Sequence, residues 1–137
     1  MADADALLEP LIPALRRYAY ALLRDHDAAD DLVQDTLERA LSRWRLRRPD
    51  GDLLAWLFTI QRNLFVNAWR QRQRQGPHAA LDDVAPPGIA GQQEAGLEVQ
   101  DVLAALDQLP EEQKSLLLLI GVEDFSYDDA ARILGIP

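Results

Sequence analysis

Residues 76–96 set the strongest limit on what this chain can fold into. Gly76-Pro77, Pro86-Pro87-Gly88, Gly91 and Gly96 lie among alanines and glutamines. Proline fixes φ and has no N–H to give, and glycine loses the most backbone entropy on ordering. So many breakers in one stretch read as a flexible linker, not a core element. Ordered structure must therefore form on either side, in residues 1–75 and 97–137. Both sides carry apolar residues at helical spacing, and neither shows the alternation of a half-buried strand. The expected fold is all-α, two small helical domains joined by that linker. With 48% hydrophobic residues in 137, the chain can bury a core.

Spacing and punctuation place the helices. The first is expected over residues 5–24, with Pro10 and Pro13 near its start, where proline is tolerated. A second starts near Asp25–Asp27, capped by an aspartate. Its Leu32, Val33, Thr36, Leu37, Ala40, Leu41 and Trp44 form one apolar stripe. Arg47-Arg48-Pro49-Asp50-Gly51 has turn chemistry. A third helix follows over about 52–74, with Leu53, Leu57, Ile60, Leu64 and Ala68 on its buried side and arginines at its negative end. Trp44 and Trp56 are assigned to the core, as are Phe58 and Trp69 by preference. Past the linker, a helix is expected over 97–109, and Pro110 opens the next in its first turn. The run Leu116–Ile120 is apolar all round and should be buried. Ser126 to Asp129 resembles a capping box for a last helix, which Gly135 can end.

The overall net charge of −9 hides a pattern. Residues 1–40 are net −5, residues 41–75 net +6 with arginine as the only base, and residues 76–137 net −10. Acidic and basic segments side by side suggest two different partner surfaces, or simply solvated helix faces. There is no cysteine, which excludes disulfides and thiolate metal sites and fits a reducing, cytoplasmic setting. No apolar run reaches the roughly 18 residues of a membrane span, and the acidic start is unlike a secretory signal. The two histidines, His26 and His78, fall in different units, with no metal-binding or acid–base constellation around either. No phosphate-binding glycine loop or nucleophile motif is present. No enzymatic activity, cofactor or small-molecule substrate is expected.

Three segments in order, residues 27–36, residues 55–67 with the arginine-rich stretch after them, and residues 109–113 followed by 124–137, resemble one family, the extracytoplasmic-function (ECF) sigma factors of bacterial transcription. Asp27-Ala-Ala-Asp-Asp-Leu-Val-Gln-Asp-Thr36 resembles the region 2.2 signature. Ala55-Trp-Leu-Phe-Thr-Ile-Gln-Arg-Asn63, with Asn67 and an arginine-rich end, is similar to regions 2.3 and 2.4. Leu109-Pro-Glu-Glu-Gln and the stretch from Asp124 to Pro137 are similar to the opening of region 4. The resemblance implies a sigma-2 domain in residues 1–75 that binds the β′ clamp helices of RNA polymerase and melts the −10 element. It implies a sigma-4 domain in residues 97–137 that meets the β-flap and the −35 element, here ending before its recognition helix. It also implies an anti-sigma partner.

Asp31, Gln34, Asp35 and Glu38 share one helical face. By resemblance this is the polymerase-binding surface; taken alone it could be an ordinary solvated face. Asn63 and Asn67 are i,i+4 neighbours whose amides can read an unpaired base edge. By resemblance they contact the −10 element, with Arg62, Arg70, Arg72 and Arg74 on the phosphates of melted DNA. Arg43, Arg45, Arg47 and Arg48 could extend that surface or serve solubility. The competing reading is a sigma-like mimic that sequesters an anti-sigma factor without binding DNA.

Overall fold

The computed structural model describes residues 2–75 and 97–137. The linker and His78 lie outside them. Every regular element among the described residues is helical, as the periodicity predicts.

The first expected helix is split in two. Helix α1 (Ala2–Leu8) passes through a 3₁₀ turn at Glu9–Leu11 into α2 (Ile12–Leu23). Pro10 and Pro13 each lack the N–H that a continuous ladder needs, so the break falls between them. Helix α2 ends at Arg24, which is left-handed at φ 56°, and the Arg24 N–H closes on the Tyr20 carbonyl at 2.7 Å.

Helix α3 (His26–Ser42) starts as expected: Asp25 caps it, its carboxylate accepting from the Ala28 N–H at 3.1 Å. Ala29, Leu32, Val33, Thr36 and Ala40 form its buried face. The buried Thr36 hydroxyl is satisfied by donating to the Leu32 carbonyl at 2.8 Å. A 3₁₀ turn at Trp44–Leu46 and a turn in which the Gly51 N–H reaches the Arg48 carbonyl at 3.0 Å lead to α4 (Leu53–Gln75). Asp52 caps α4 on the Ala55 N–H at 3.1 Å.

Helices α5 (Leu97–Asp107), α6 (Glu111–Gly121) and α7 (Tyr127–Leu134) complete the chain. Pro110 stands one residue before the first turn of α6, with ψ at 145°, and its carbonyl accepts from Lys114 at 3.0 Å. Only part of the Leu116–Ile120 run is buried. Leu118 and Leu119 are inside, but Leu117 is 51% exposed, because α6 keeps a solvent face. Half of the expected capping box forms: the Ser126 hydroxyl accepts from the Asp129 N–H at 3.1 Å, but the Asp129 carboxylate turns to Arg132 at 3.0 Å. Gly135 ends α7 at φ 73°, a conformation that favours glycine.

The helices on either side of the linker lie against each other. Helix α2 packs on α6, and α4 packs on α7. One core holds Leu15, Tyr18, Leu57 and Phe58 from the first part together with Leu119, Phe125, Ala130 and Ile133 from the second. Phe58 is fully buried at the junction, edge-on to Tyr18 with centroids 5.3 Å apart and to Phe125 at 5.7 Å. Trp44 and Trp56 stand edge-to-face with each other and, partly buried, pack against the core as expected. Trp69 departs from expectation: it is 53% exposed, in the last turns of α4, where Asn67 to Gln71 are all exposed.

Candidate functional site

Helix α3 sorts its residues by face. Leu32, Val33 and Thr36 turn inward, while Asp31, Gln34, Asp35 and Glu38 are all exposed. The carboxylates and the Gln34 amide therefore stand together on the solvent side, where they can take charge-assisted bonds from a cationic partner.

Helix α4 carries the second face. Asn63, Asn67, Arg70 and Arg74 are all exposed. Steps of four, three and four make them one stripe along the helix. Two amides near the middle and two guanidiniums toward the end can offer base-edge contacts beside phosphate contacts. Arg72 is partly buried and engaged with neighbouring groups.

Arg62 differs from the other five residues assigned to DNA. It is only 6% exposed and forms an ion pair with Glu111 at the start of α6. Its guanidinium carbon lies 5.9 Å from the centre of the Phe65 ring. Arg62, Phe65, Val66, Trp69, Arg70 and Glu111 line a shallow pocket beside the stripe. In this closed arrangement, then, Arg62 faces a carboxylate of α6. Of the flanking arginines, Arg43, Arg45 and Arg48 are exposed, and Arg47 lies over the Trp44 ring at 4.0 Å.

The contact between the two parts of the chain is more polar than the sequence suggests. The buried Tyr18 hydroxyl donates to Ser115 Oγ at 2.8 Å, and Ser115 in turn donates to Glu111. Burial pushes the Tyr18 hydroxyl up to about 12, an effect that the Ser115 hydrogen bond and the nearby Arg62 charge only partly offset. The buried Gln61 amide donates to the Leu15 carbonyl at 3.0 Å, tying α4 to α2. Asp107 at the end of α5 accepts from Lys114 at 2.6 Å and pairs with Arg24, which also reaches Gln100 at 2.9 Å. Arg17 bonds Glu123 at 2.8 Å, which raises the Arg17 guanidinium above its ordinary value. Sequence reasoning gives Tyr18, Arg24, Glu111 and Ser115 no role in pairing the two parts of the chain. Their partners lie 76 to 97 positions away in several of these bonds, and no local pattern signals such pairs.

Tyr20 stacks on His26 with centroids 4.3 Å apart. Tyr20 and His26 border an apolar groove between α2 and α5–α6, which Val99, Val102, Leu106 and Val122 also line. Val99, Val102 and Val122 are each more than half exposed. Among the described residues, no group of three or more His, Cys, Asp or Glu side chains could hold a metal ion, and no helix is long and apolar enough to cross a membrane.

Known proteins resemble this chain in both parts. Residues 8–61 match the family profile described as the Sigma2 domain of PhyR, and residues 100–137 match that of Sigma-70, region 4. The ECF RNA polymerase sigma factor EcfG of Rhodopseudomonas palustris is 45% identical over 128 residues, which cover 90% of this chain and 68% of that protein. The ECF RNA polymerase sigma factor SigE of Mycolicibacterium smegmatis is 30% identical over 99% of this chain and 54% of its own length. The chain thus spans between about half and two thirds of these relatives. Among solved structures, the sigma factor RpoE of Bartonella quintana, in complex with the anti-sigma factor NepR, superposes with a TM-score of 0.85 at 39% identity. That match covers all of this chain and 86% of the other. The identity to EcfG, extending through both helical parts, shows that the chain belongs to the ECF RNA polymerase sigma factors.

Proposed function

We propose that this chain binds core RNA polymerase and directs promoter-specific initiation, recognising and melting the −10 element. Residues 1–75 act as sigma-2, and residues 97–137 belong to sigma-4, which meets the β-flap and the −35 element. The observation that carries this reading is the sorting of α3 and α4, two helices packed together. One exposes Asp31, Gln34, Asp35 and Glu38, and the other exposes Asn63, Asn67, Arg70 and Arg74. The acidic face suits the cationic groups of a clamp helix on β′. The amide–arginine stripe suits separated promoter strands, which need base-edge partners and phosphate neutralisation together. Melting requires no covalent chemistry of this chain; preferential binding of the unpaired strand shifts the duplex equilibrium. This work would be done in the cytoplasm, with no membrane and no small-molecule substrate.

An anti-sigma factor is the proposed regulatory partner. Two observations support it: the solved relative is itself bound to one, and the exposed apolar groove beside Tyr20 and His26 offers a seat for apolar side chains. The second reading, a mimic that only sequesters such a partner, draws support from the closed packing of α2 and α4 on α6 and α7, with Arg62 already occupied.

Core polymerase separates the two. A sigma factor binds it and, on a promoter template bearing a preformed bubble at −10, protects the unpaired strand. A mimic binds the anti-sigma factor NepR but leaves polymerase and the bubble alone.

A further inference from the structure

We propose that Glu111 is an internal stand-in for a DNA phosphate at Arg62, so that α6 and the promoter strand compete for one guanidinium. The inference rests on the promoter-binding reading of α4. Arg62 is adjacent in sequence to Asn63, at the head of the exposed stripe, yet it is buried under α6 and paired with Glu111. A carboxylate and a phosphate ester present guanidinium with the same chemistry, paired oxyanions that accept forked N–H bonds.

Glu111 is also held ready for this role. Ser115 donates to the same carboxylate oxygen that Arg62 faces, and Tyr18 donates to Ser115. The acceptor is therefore fixed by a buried relay from α2 and is not a loose surface side chain.

The pairing leaves donors over. Arg62 Nε is buried with no hydrogen-bond partner among the described residues. A phosphate ester with both non-bridging oxygens free could take the forked bonds that this carboxylate, with Oε2 already accepting from Ser115, does not. The way in is the pocket that Arg62 and Glu111 share with Phe65, Trp69 and Arg70, which connects the guanidinium to the open side of α4. Arg70 is exposed there, so a strand held by Arg70 passes within reach of the site that Glu111 fills.

The test is binding of a short, fluorescein-labelled single-stranded DNA to the whole chain, read by anisotropy over a range of salt. Glu111→Gln removes the charge and keeps the shape that Ser115 bonds. Glu112→Gln, an equal charge change at the exposed neighbour, is the control. The expected result is about tenfold tighter binding for Glu111→Gln than for Glu112→Gln, with a salt slope steeper by about 0.7 for one added phosphate contact. Arg62→Ala in the Glu111→Gln background should abolish the gain. Ser115→Ala, which loosens the carboxylate without changing charge, should give a smaller gain in the same direction, and it keeps the test open should Glu111→Gln fold poorly.

Equal binding by Glu111→Gln and Glu112→Gln, in a chain whose binding still falls on Arg70→Ala, overturns the proposal and leaves the promoter reading intact. A gain that depends on Arg62, with no loss on Arg70→Ala or Arg74→Ala, supports the proposal and removes the stripe from the promoter reading. Absence of binding in every variant overturns the proposal, and protection of the −10 bubble with core polymerase then decides the promoter reading separately.

Discussion

The Tyr18 hydroxyl, buried in α2, donates at 2.8 Å to Ser115 Oγ on α6, 97 positions along the chain. Burial of that hydroxyl, which the Ser115 bond only partly offsets, makes the association of the two parts sensitive to alkaline pH. Burial holds the Tyr18 proton to about 12, against about 10 for an exposed tyrosine. Between those values the unfolded chain releases the proton and the folded chain keeps it. Stability is therefore fully present below about pH 10 and falls as pH rises to 12, by roughly 1.4 kcal/mol per unit. Urea unfolding followed from pH 8 to 12 should show that loss in the wild type, and the slope should be shallower in Tyr18→Phe. At neutral pH, Tyr18→Phe should cost about 1 kcal/mol, the ordinary worth of one hydrogen bond. Parallel alkaline slopes for the two proteins would contradict the assignment.

Phe58 places a second demand on the same junction. Its ring is fully buried between Tyr18 and Phe125. Truncation to alanine should therefore remove packing for both parts at once. Phe58→Ala is expected to lower stability by about 3–5 kcal/mol. Because one core spans both parts, wild-type unfolding should be a single transition when followed both by tryptophan fluorescence, with Trp44, Trp56 and Trp69 all in the first part, and by far-ultraviolet circular dichroism. Two separate transitions in the wild type would show that the parts fold independently.

The α3 face yields a prediction in which binding and stability part company. Gln34 and Asp35 are exposed, so removing them deletes no packing. The double variant Gln34→Ala/Asp35→Ala should change unfolding free energy by no more than about 0.5 kcal/mol. Its affinity for core polymerase should fall by about tenfold or more, as for paired residues at the centre of an interface. Competition against a labelled sigma factor for core enzyme measures the second quantity, and urea unfolding measures the first. Unchanged affinity would move the polymerase surface elsewhere.

What the sequence shows and what it hides divide along one physical line. Periodicity and caps act over a few residues. Asp25 and Ser126 can therefore be placed at helix starts from sequence, and the two faces of α3 can be sorted from residue spacing alone. The same reasoning runs Pro10 and Pro13 into one helix, because each is tolerable near a start but the pair breaks the ladder between them. It puts Trp69 inside, because an aromatic on an amphipathic helix is more often packed, whereas α4 leaves that side chain half exposed in its last turns. The family resemblance places Asn63, Asn67, Arg70 and Arg74 on one helix, and the structure exposes all four. It does not reveal that Arg62 is covered by Glu111, 49 positions away, because burial of that kind depends on how α4 and α6 meet.

Asp107 shows how much the charges at this junction should matter. Its carboxylate serves Arg24 and Lys114, whose side chains are only 9% and 7% exposed. Removing it leaves two nearly buried cations, with the neutral Gln100 Oε1 as the remaining side-chain acceptor for Arg24 among the described residues. The loss of desolvation compensation then dominates over any gain from deleting a charge. Asp107→Ala should cost about 3 kcal/mol, near the lower end for a broken buried pair because the carboxylate keeps some solvent contact. The comparison is Asp30→Ala, which breaks the Arg16–Asp30 pair at 3.1 Å, where both side chains are more than half exposed. That change should cost less than about 0.5 kcal/mol, since water screens such a pair and the side-chain entropy lost in holding it offsets the attraction. Guanidinium unfolding masks ionic effects by screening, so urea at low and at moderate salt is the proper measurement. Added salt should leave most of the Asp107→Ala deficit in place. Equal, small costs for the two variants would show that the Arg24–Asp107–Lys114 cluster is solvated in solution and does not help to hold α5 and α6 against α2.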